Sequence, residues 1–293
     1  MSTTESRLPI YEVDPMARPR KGYNDVLALV TSSGPWSPAA FAGVDIAAMF
    51  NAHVTGCYID PSLRSLRGID DEPSVMALLM DAPHARREDF DAFSAFAHSR
   101  GVRHVSWTYT QVGPAKTMRS VGAWHDLIVL ERDLAEESLL IDVLGEVLLT
   151  CRAPCLVLPP QWDKPLDMKR IVIGWNGSIE STRATHAALP LVEVAERVTV
   201  LRDGALRVES EDPQPPAFNA GQYLRAHGVP VTEVPMHASL LVAGEALLAE
   251  AKRLRADCLV MGAYGHSRVR ERVLGGATRH VLQRADIPVL MQH

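Results

Sequence analysis

The sequence predicts an α/β protein built of two tandem doubly wound domains, each an open five-stranded, mainly parallel sheet. Three observations carry this expectation. Short Val/Ile/Leu runs of four to six residues alternate with longer stretches of helical periodicity, the pattern of βαβ units whose buried parallel strands read as continuous apolar runs. The plan of the first half returns in the second. The 293 residues, 47% hydrophobic and 22% charged, supply two cores at roughly 150 residues per domain and exclude a disordered chain.

An N-terminal extension, residues 1–22, precedes the first copy, which runs over 23–160. The opening run of this copy, 25–30 (DVLALV), answers 170–175 (RIVIGW) of the second, and each is followed by small polar residues and an Ala-rich helical stretch. A longer insertion, at roughly 61–85, follows the second strand of the first copy. Next, both copies place a Gly-Val pair before an extended segment, 100–107 (RGVRHVSW) and 227–233 (HGVPVTE). Each then runs from an Asp into an apolar strand, 126–130 (DLIVL) and 257–261 (DCLVM), and each closes on a proline-opened apolar run, 152–158 (RAPCLVL) and 285–291 (ADIPVLM). The proline-dense stretch 159–165 (PPQWDKP) suits neither a helix nor a central strand and marks the linker. The second copy occupies 167–293, with strands expected at 170–175, 197–201, 229–234, 257–262 and 287–291 and a helix over 244–254. Asp257, at the strand end away from the ligand edge, reads as a turn or cap residue.

Composition removes several classes of function. With 35 Asp plus Glu against 30 Lys plus Arg, the net charge of -5 gives no general attraction to nucleic acid or an anionic bilayer. No apolar run is long enough to span a membrane, and the first 22 residues lack the apolar core of a signal peptide, so a cytoplasmic protein is expected. Cys57, Cys151, Cys155 and Cys258 form no CxxC pair, and the histidines show no helical metal spacing, so no metal site is assigned. Neither a Gly-x-Ser-x-Gly elbow nor a P-loop occurs.

The most informative segment follows the fourth strand of the second copy: 261–280, MGAYGHSRVRERVLGGATRH. Gly262 and Gly265 stand where the chain leaves the sheet, and Gly275 and Gly276 where the last helix should begin. Glycine there lets backbone amides approach a ligand, and a helix N-terminus adds unpaired N–H groups and the positive dipole end, a combination suited to phosphate. An open doubly wound sheet binds ligands at this edge. Thr278 adds a hydroxyl in the first helical turn. His266, Ser267, Arg268, Arg270 and Arg272 give either a cationic rim around a triphosphate or a solvated loop shared with Glu271.

The spacing Gly262-x2-Gly265-x9-Gly275 resembles the nucleotide-binding signature of the universal stress protein family, in which Ser or Thr follows the last Gly. The strands over 171–175 and 288–291 resemble that family's first and last. The whole chain is similar to its tandem, two-domain type, with the first copy as a degenerate partner. The resemblance implies a Rossmann-like, adenine nucleotide alpha hydrolase-like fold, with the two domains paired as an intrachain pseudo-dimer through their last strands, 154–158 against 287–291. It also implies nucleotide contacts from Gly174, Trp175 and Asn176 at the end of the first strand, from Met261, Gly262, Gly265, His266 and Arg268, and from Gly275, Gly276, Ala277 and Thr278. Two departures stand out: Gly276 replaces the expected hydroxyl residue, and the uncharged Asn176 replaces the family's first-strand Asp. The first copy continues 131–142 (ERDLAEESLLID), with carboxylates where phosphate would lie, so nucleotide is expected in the C-terminal domain only.

On this resemblance the chain is expected to be a stress-response protein that binds ATP or a related adenine nucleotide, with or without Mg, and acts as a sensor or signalling module toward a protein partner. The alternative is a nucleotide-independent interaction scaffold of the same fold, favoured by Asn176, Trp175 and Gly276. At most slow ATP hydrolysis through Glu271 or His266 is expected, and no catalytic residue is assigned. A homodimer of chains is left open.

Overall fold

The structure, a computed structural model, describes residues 22–59, 87–110, 113–132, 140–203, 219–236, 243–264 and 276–293. The N-terminal copy contains β1 (Asp25–Val30), α1 (Pro38–Phe50), β2 (His53–Ile59), α2 (Arg87–Ser99), β3 (His104–Thr110), α3 (Pro114–Ser120), β4 (Leu127–Glu131), α4 (Leu140–Thr150) and β5 (Cys155–Leu158). The C-terminal copy contains β6 (Arg170–Trp175), α5 (Ile179–Ala187), α6 (Leu189–Val194), β7 (Arg197–Asp203), α7 (Ala220–Ala226), β8 (Val231–Met236), α8 (Ala243–Arg253), β9 (Cys258–Gly262), α9 (Gly276–Arg284) and β10 (Val289–Gln292). The expected extension up to residue 21 and the insertion at 61–85 lie outside the described residues.

The ten strands form one sheet in the order β3-β2-β1-β4-β5-β10-β9-β6-β7-β8. Each copy thus has the doubly wound order 3-2-1-4-5, and the two join through their last strands. Every neighbouring pair is parallel except β5 and β10, which run antiparallel with Val157 opposite Val289 and Cys155 opposite Met291. The expected pairing of the two closing strands is therefore present as a continuous ladder. Hydrogen bonds also cross between the copies: Tyr23 Oη donates to the Ala187 carbonyl at 2.7 Å and Arg132 Nη1 to the Ala285 carbonyl at 2.8 Å.

One apolar layer covers each face of the sheet and runs through both copies. On one side α1, α2, α5, α6 and α7 bury residues such as Ile46, Phe93, Ala184, Leu191 and Leu224. On the other α3, α4, α8 and α9 bury Met118, Leu144, Leu247 and Val281. Strand residues alternate between the layers, Val26, Ala28 and Val30 to the first and Leu27 and Leu29 to the second, as the two-residue period requires. Burial on both faces is why these strands read as unbroken apolar runs.

Proline sets several strand starts. β5, β8 and β10 begin immediately after Pro154, Pro230 and Pro288, because proline has no N–H to give the ladder. The strands expected at 229–234 and 287–291 accordingly begin two residues later than the apolar pattern suggested. Asp126 and Asp257 do the same work in the two copies. Asp126 Oδ2 accepts from the backbone N–H of Asn24 at 2.7 Å, and Asp257 Oδ2 from that of Arg170 at 2.8 Å, so each pins the start of its copy's first strand.

Candidate functional site

The order of strands reverses between β6 and β9, since α5 leaves β6 across one face and α9 leaves β9 across the other. Ligand sites of open α/β sheets form at the carboxyl ends of such a strand pair. Ile173 lies opposite Val260 and Gly174 opposite Met261, so the chain leaves the sheet side by side at Asn176 and Ala263.

At the β6 exit, Asn176 Oδ1 accepts from the Ser178 N–H at 3.2 Å, and Ser178 Oγ caps α5 by accepting from the Ser181 N–H at 3.1 Å. These are local turn and capping bonds. The Asn176 carbonyl oxygen is thereby committed to the turn, while its amide hydrogens are not. Trp175 turns to the α5/α7 side, where its Nε1 donates to Thr182 Oγ1 at 3.4 Å and its ring walls a groove of about 640 Å³ with Gly177, His186, Asn219 and Tyr223. Gly174 faces the opposite side, where an added Cβ would lie 2.8 Å from Leu247 Cδ2 of α8.

At the β9 exit, Met261 is buried and Gly262 backs onto the first turn of α5. An added Cβ there would meet the Ser181 nitrogen and lie 2.6 Å from the Glu180 carbonyl carbon and 2.9 Å from Glu180 Cβ. The absence of a side chain at Gly262 thus serves the close approach of α5. Glu180 is 6% exposed, which puts a buried carboxylate at the strand switch; the opening of a helix favours such a charge. Tyr264 follows with φ of +72°, a left-handed conformation that is costly for a residue with a side chain. Its backbone N–H donates to Thr278 Oγ1 at 3.3 Å, tying the strand exit to the first turn of α9. Its hydroxyl is buried with no hydrogen-bond partner among the described residues, and burial, with the Asp142 charge as a lesser cause, raises its pKa. The ring meets His293 edge-on at 5.8 Å, and His293 Nδ1 contacts the Ala263 carbonyl at 3.1 Å.

α9 opens at Gly276, which is exposed and has no atom of the described residues within 4 Å of an added Cβ. Ala277 touches α8 at Gly244, and Thr278 is buried, with its hydroxyl hydrogen not used by the contact to Tyr264. Of the residues expected to hold a nucleotide, Asn176, Met261, Gly262, Gly276, Ala277 and Thr278 therefore frame the carboxyl edge of β6 and β9. Trp175 and Gly174 face opposite sides of the sheet there. Gly265, His266, Arg268 and Gly275, together with Glu271, lie outside the described residues. Sequence reasoning missed Glu180 and Tyr264. The signal for Tyr264 is its place inside the Gly-x-x-Gly turn; Glu180 gave no signal beyond following a cap residue. Among the described residues no group of three or more His, Cys, Asp or Glu is placed to hold a metal ion.

The same crossing in the N-terminal copy is closed by a side chain. Glu131 ends β4 and is buried, and its Oε1 accepts from the Ala39 N–H in the first turn of α1 at 3.2 Å and from the Thr31 hydroxyl at 3.3 Å. A carboxylate already sits on the helix amides that an anion would use.

Fold and site together define a tandem doubly wound α/β protein whose C-terminal copy carries a ligand-type strand switch. Residues 168–293 match the model of the universal stress protein family. The chain is 30% identical over 146 residues to a universal stress protein of Synechocystis sp., a match covering 47% of this chain and 46% of the relative; the chain spans about half the length of that curated relative. Among solved structures, a universal stress protein from Archaeoglobus fulgidus aligns with a TM-score of 0.61 at 17% identity, over 92% of this chain and 96% of that one. A functionally unknown protein from Pseudomonas aeruginosa aligns at 0.56 and 11% identity, over 93% of each chain. These two likenesses show the fold, and they extend it over both copies. No helix among the described residues is long and apolar enough to cross a membrane.

Proposed function

We propose that the C-terminal copy binds ATP or a related adenine nucleotide at the carboxyl ends of β6 and β9, and that occupancy, rather than turnover, is the protein's output as a stress-related sensor. The observation that carries this reading is the join of Tyr264 to Thr278. It fixes the strand exit against the first turn of α9, whose exposed opening at Gly276 offers amides and the positive dipole end to phosphate. The Thr278 hydroxyl hydrogen adds a donor, as do the Asn176 amide hydrogens, which the turn at Ser178 does not use. Glu180 supplies an acceptor suited to ribose hydroxyls or to a Mg ion held with the phosphates.

A second reading, an interaction scaffold without nucleotide, is favoured by two contacts. The packing of α5 accounts for Gly262, and the Asx turn at Ser178 accounts for the Asn176 oxygen.

Calorimetric titration of the purified chain with ATP, together with mass spectrometry of any small molecule released on denaturation, separates the two. One adenine nucleotide per chain, with a melting temperature that rises with added ATP and no longer responds in Thr278→Val, supports binding at this edge. A chain that carries no nucleotide and ignores ATP is the scaffold.

A further inference from the structure

The N-terminal copy holds a constellation at the amino end of its sheet that the nucleotide reading does not use. His53, the first residue of β2, lies between two neighbours on adjacent strands: its Nδ1 is 3.0 Å from Asp25 Oδ1 on β1, and its Nε2 is 3.0 Å from Ser106 Oγ on β3. A carboxylate can only accept, so the contact at Nδ1 favours the tautomer that carries its hydrogen there, and Nε2 is left as an acceptor aimed at the Ser106 hydroxyl. The His53 side chain is 7% exposed and that of Asp25 33%, so imidazole and carboxylate are held by the sheet rather than by flexible loops. Ser106 is half-buried on the outermost strand, beside the exposed His104. α3 meets this face of β3 at its far end, where Thr117 Oγ1 lies 2.7 Å from Thr110 Oγ1.

The fold does not require this arrangement, because the C-terminal copy does without it. By strand register Asp25, His53 and Ser106 correspond to Arg170, Arg197 and Thr232. There Arg170 turns instead to Asp257, with Nη2 2.6 Å from Oδ1. Two copies of one topology thus hold their first strands by the Asp126 and Asp257 bonds, and only one adds the Asp–His–Ser line.

The geometry points to Ser106 as a nucleophile for acyl transfer, with His53 as its base, Asp25 orienting the imidazole, and small, accessible carboxylic esters as the substrate class. Ser106 Oγ attacks the ester carbonyl carbon while its proton passes to His53 Nε2. The carbon–alkoxide bond breaks, and the leaving alkoxide takes that proton to depart as an alcohol. Water then adds to the acyl-serine, gives a proton to His53, and releases the carboxylic acid as the proton returns to Ser106. Among the described residues β3 is an end strand of the sheet, the kind of edge whose backbone N–H groups can donate to a developing oxyanion.

The test is covalent labelling of the full chain with a fluorophosphonate, which forms a serine–phosphorus bond and expels fluoride, read by intact mass and peptide mapping. One adduct on Ser106 is expected. Ser106→Ala should abolish it in a chain that still unfolds in a single cooperative transition, and Asp25→Asn or His53→Gln should slow it by roughly 100-fold or more. p-Nitrophenyl acetate should give a matching burst of one nitrophenol per chain. No adduct on the native chain overturns the proposal. So does an adduct that survives Ser106→Ala, or one that forms as fast on the urea-denatured chain. These readouts do not involve nucleotide, so the reading of the C-terminal site stands or falls apart from them.

Discussion

Glu131 and Gly262 occupy the same place in the two copies, each the last residue of the strand beside its copy's first strand. Their partners are exchanged. In the N-terminal copy the strand contributes the glutamate, which reaches the amide of Ala39, the second residue of α1. In the C-terminal copy the second residue of α5 is itself a glutamate, Glu180, and the strand contributes the glycine that makes room for it. Each crossing thus holds one buried glutamate, supplied from opposite sides.

Gly262→Ala should be among the most damaging single-methyl additions in the chain. The atoms in its way are backbone, the Ser181 nitrogen and the Glu180 carbonyl carbon, which cannot swing aside as a side-chain tip can. A loss of about 1–3 kcal/mol is expected, read as a lower urea midpoint, whereas Gly276→Ala, whose added methyl meets nothing within 4 Å among the described residues, should leave the midpoint nearly unchanged.

Glu131→Ala should destabilise the N-terminal copy by about 1–3 kcal/mol, because the Ala39 N–H is left buried without its acceptor. Glu131→Gln retains an amide oxygen for that N–H and should recover most of the loss. Equal losses in the two variants, measured by urea denaturation, would contradict the bond as described.

Cys57 and Cys258 are fully buried, and desolvation pushes both thiols up to about 12 from the ordinary 9.0. The folded form therefore holds these protons more tightly than the unfolded chain. The associated stability is complete below 9.0 and is lost as pH rises from 9.0 toward 12. Urea midpoints should fall across this window, and the fall should be shallower in Cys57→Ala.

Tyr23→Phe removes one buried hydroxyl whose partner, the Ala187 carbonyl, belongs to the other copy, while the ring keeps its edge-on contact with Phe50 at 5.4 Å. A cost of about 1 kcal/mol is expected. Hydrogen exchange should show the loss at the C-terminal end of α5 as well as around β1, since the bond joins the two.

The fold was legible because it is written in local pattern. Strand 170–175 and the helix near 244–254 follow directly from apolar runs and periodicity, and the join of the two closing strands followed from the family resemblance. The strand starts after Pro230 and Pro288 shifted because a missing N–H outweighs an apolar side chain at the end of a ladder. The site was legible only as a framework. Gly262 reads in the sequence as room for a ligand, yet its neighbour is Glu180, brought there by the crossing of α5. The line from Asp25 through His53 to Ser106 is invisible in sequence, since its members lie 28 and 53 positions apart and meet only through strand register.

Joining the copies through β5 and β10 consumes one open border from each and leaves β3 and β8 as the end strands of the sheet among the described residues. These are not alike as templates for further growth. β8 (VTEVPM) carries Pro235, which has no hydrogen to offer an incoming chain, and a charged Glu233. β3 (HVSWTYT) is aromatic and β-branched, with neither proline nor carboxylate. The composition of such a border suits another strand, so lateral accretion is opposed by sequence at one rim and favoured by it at the other.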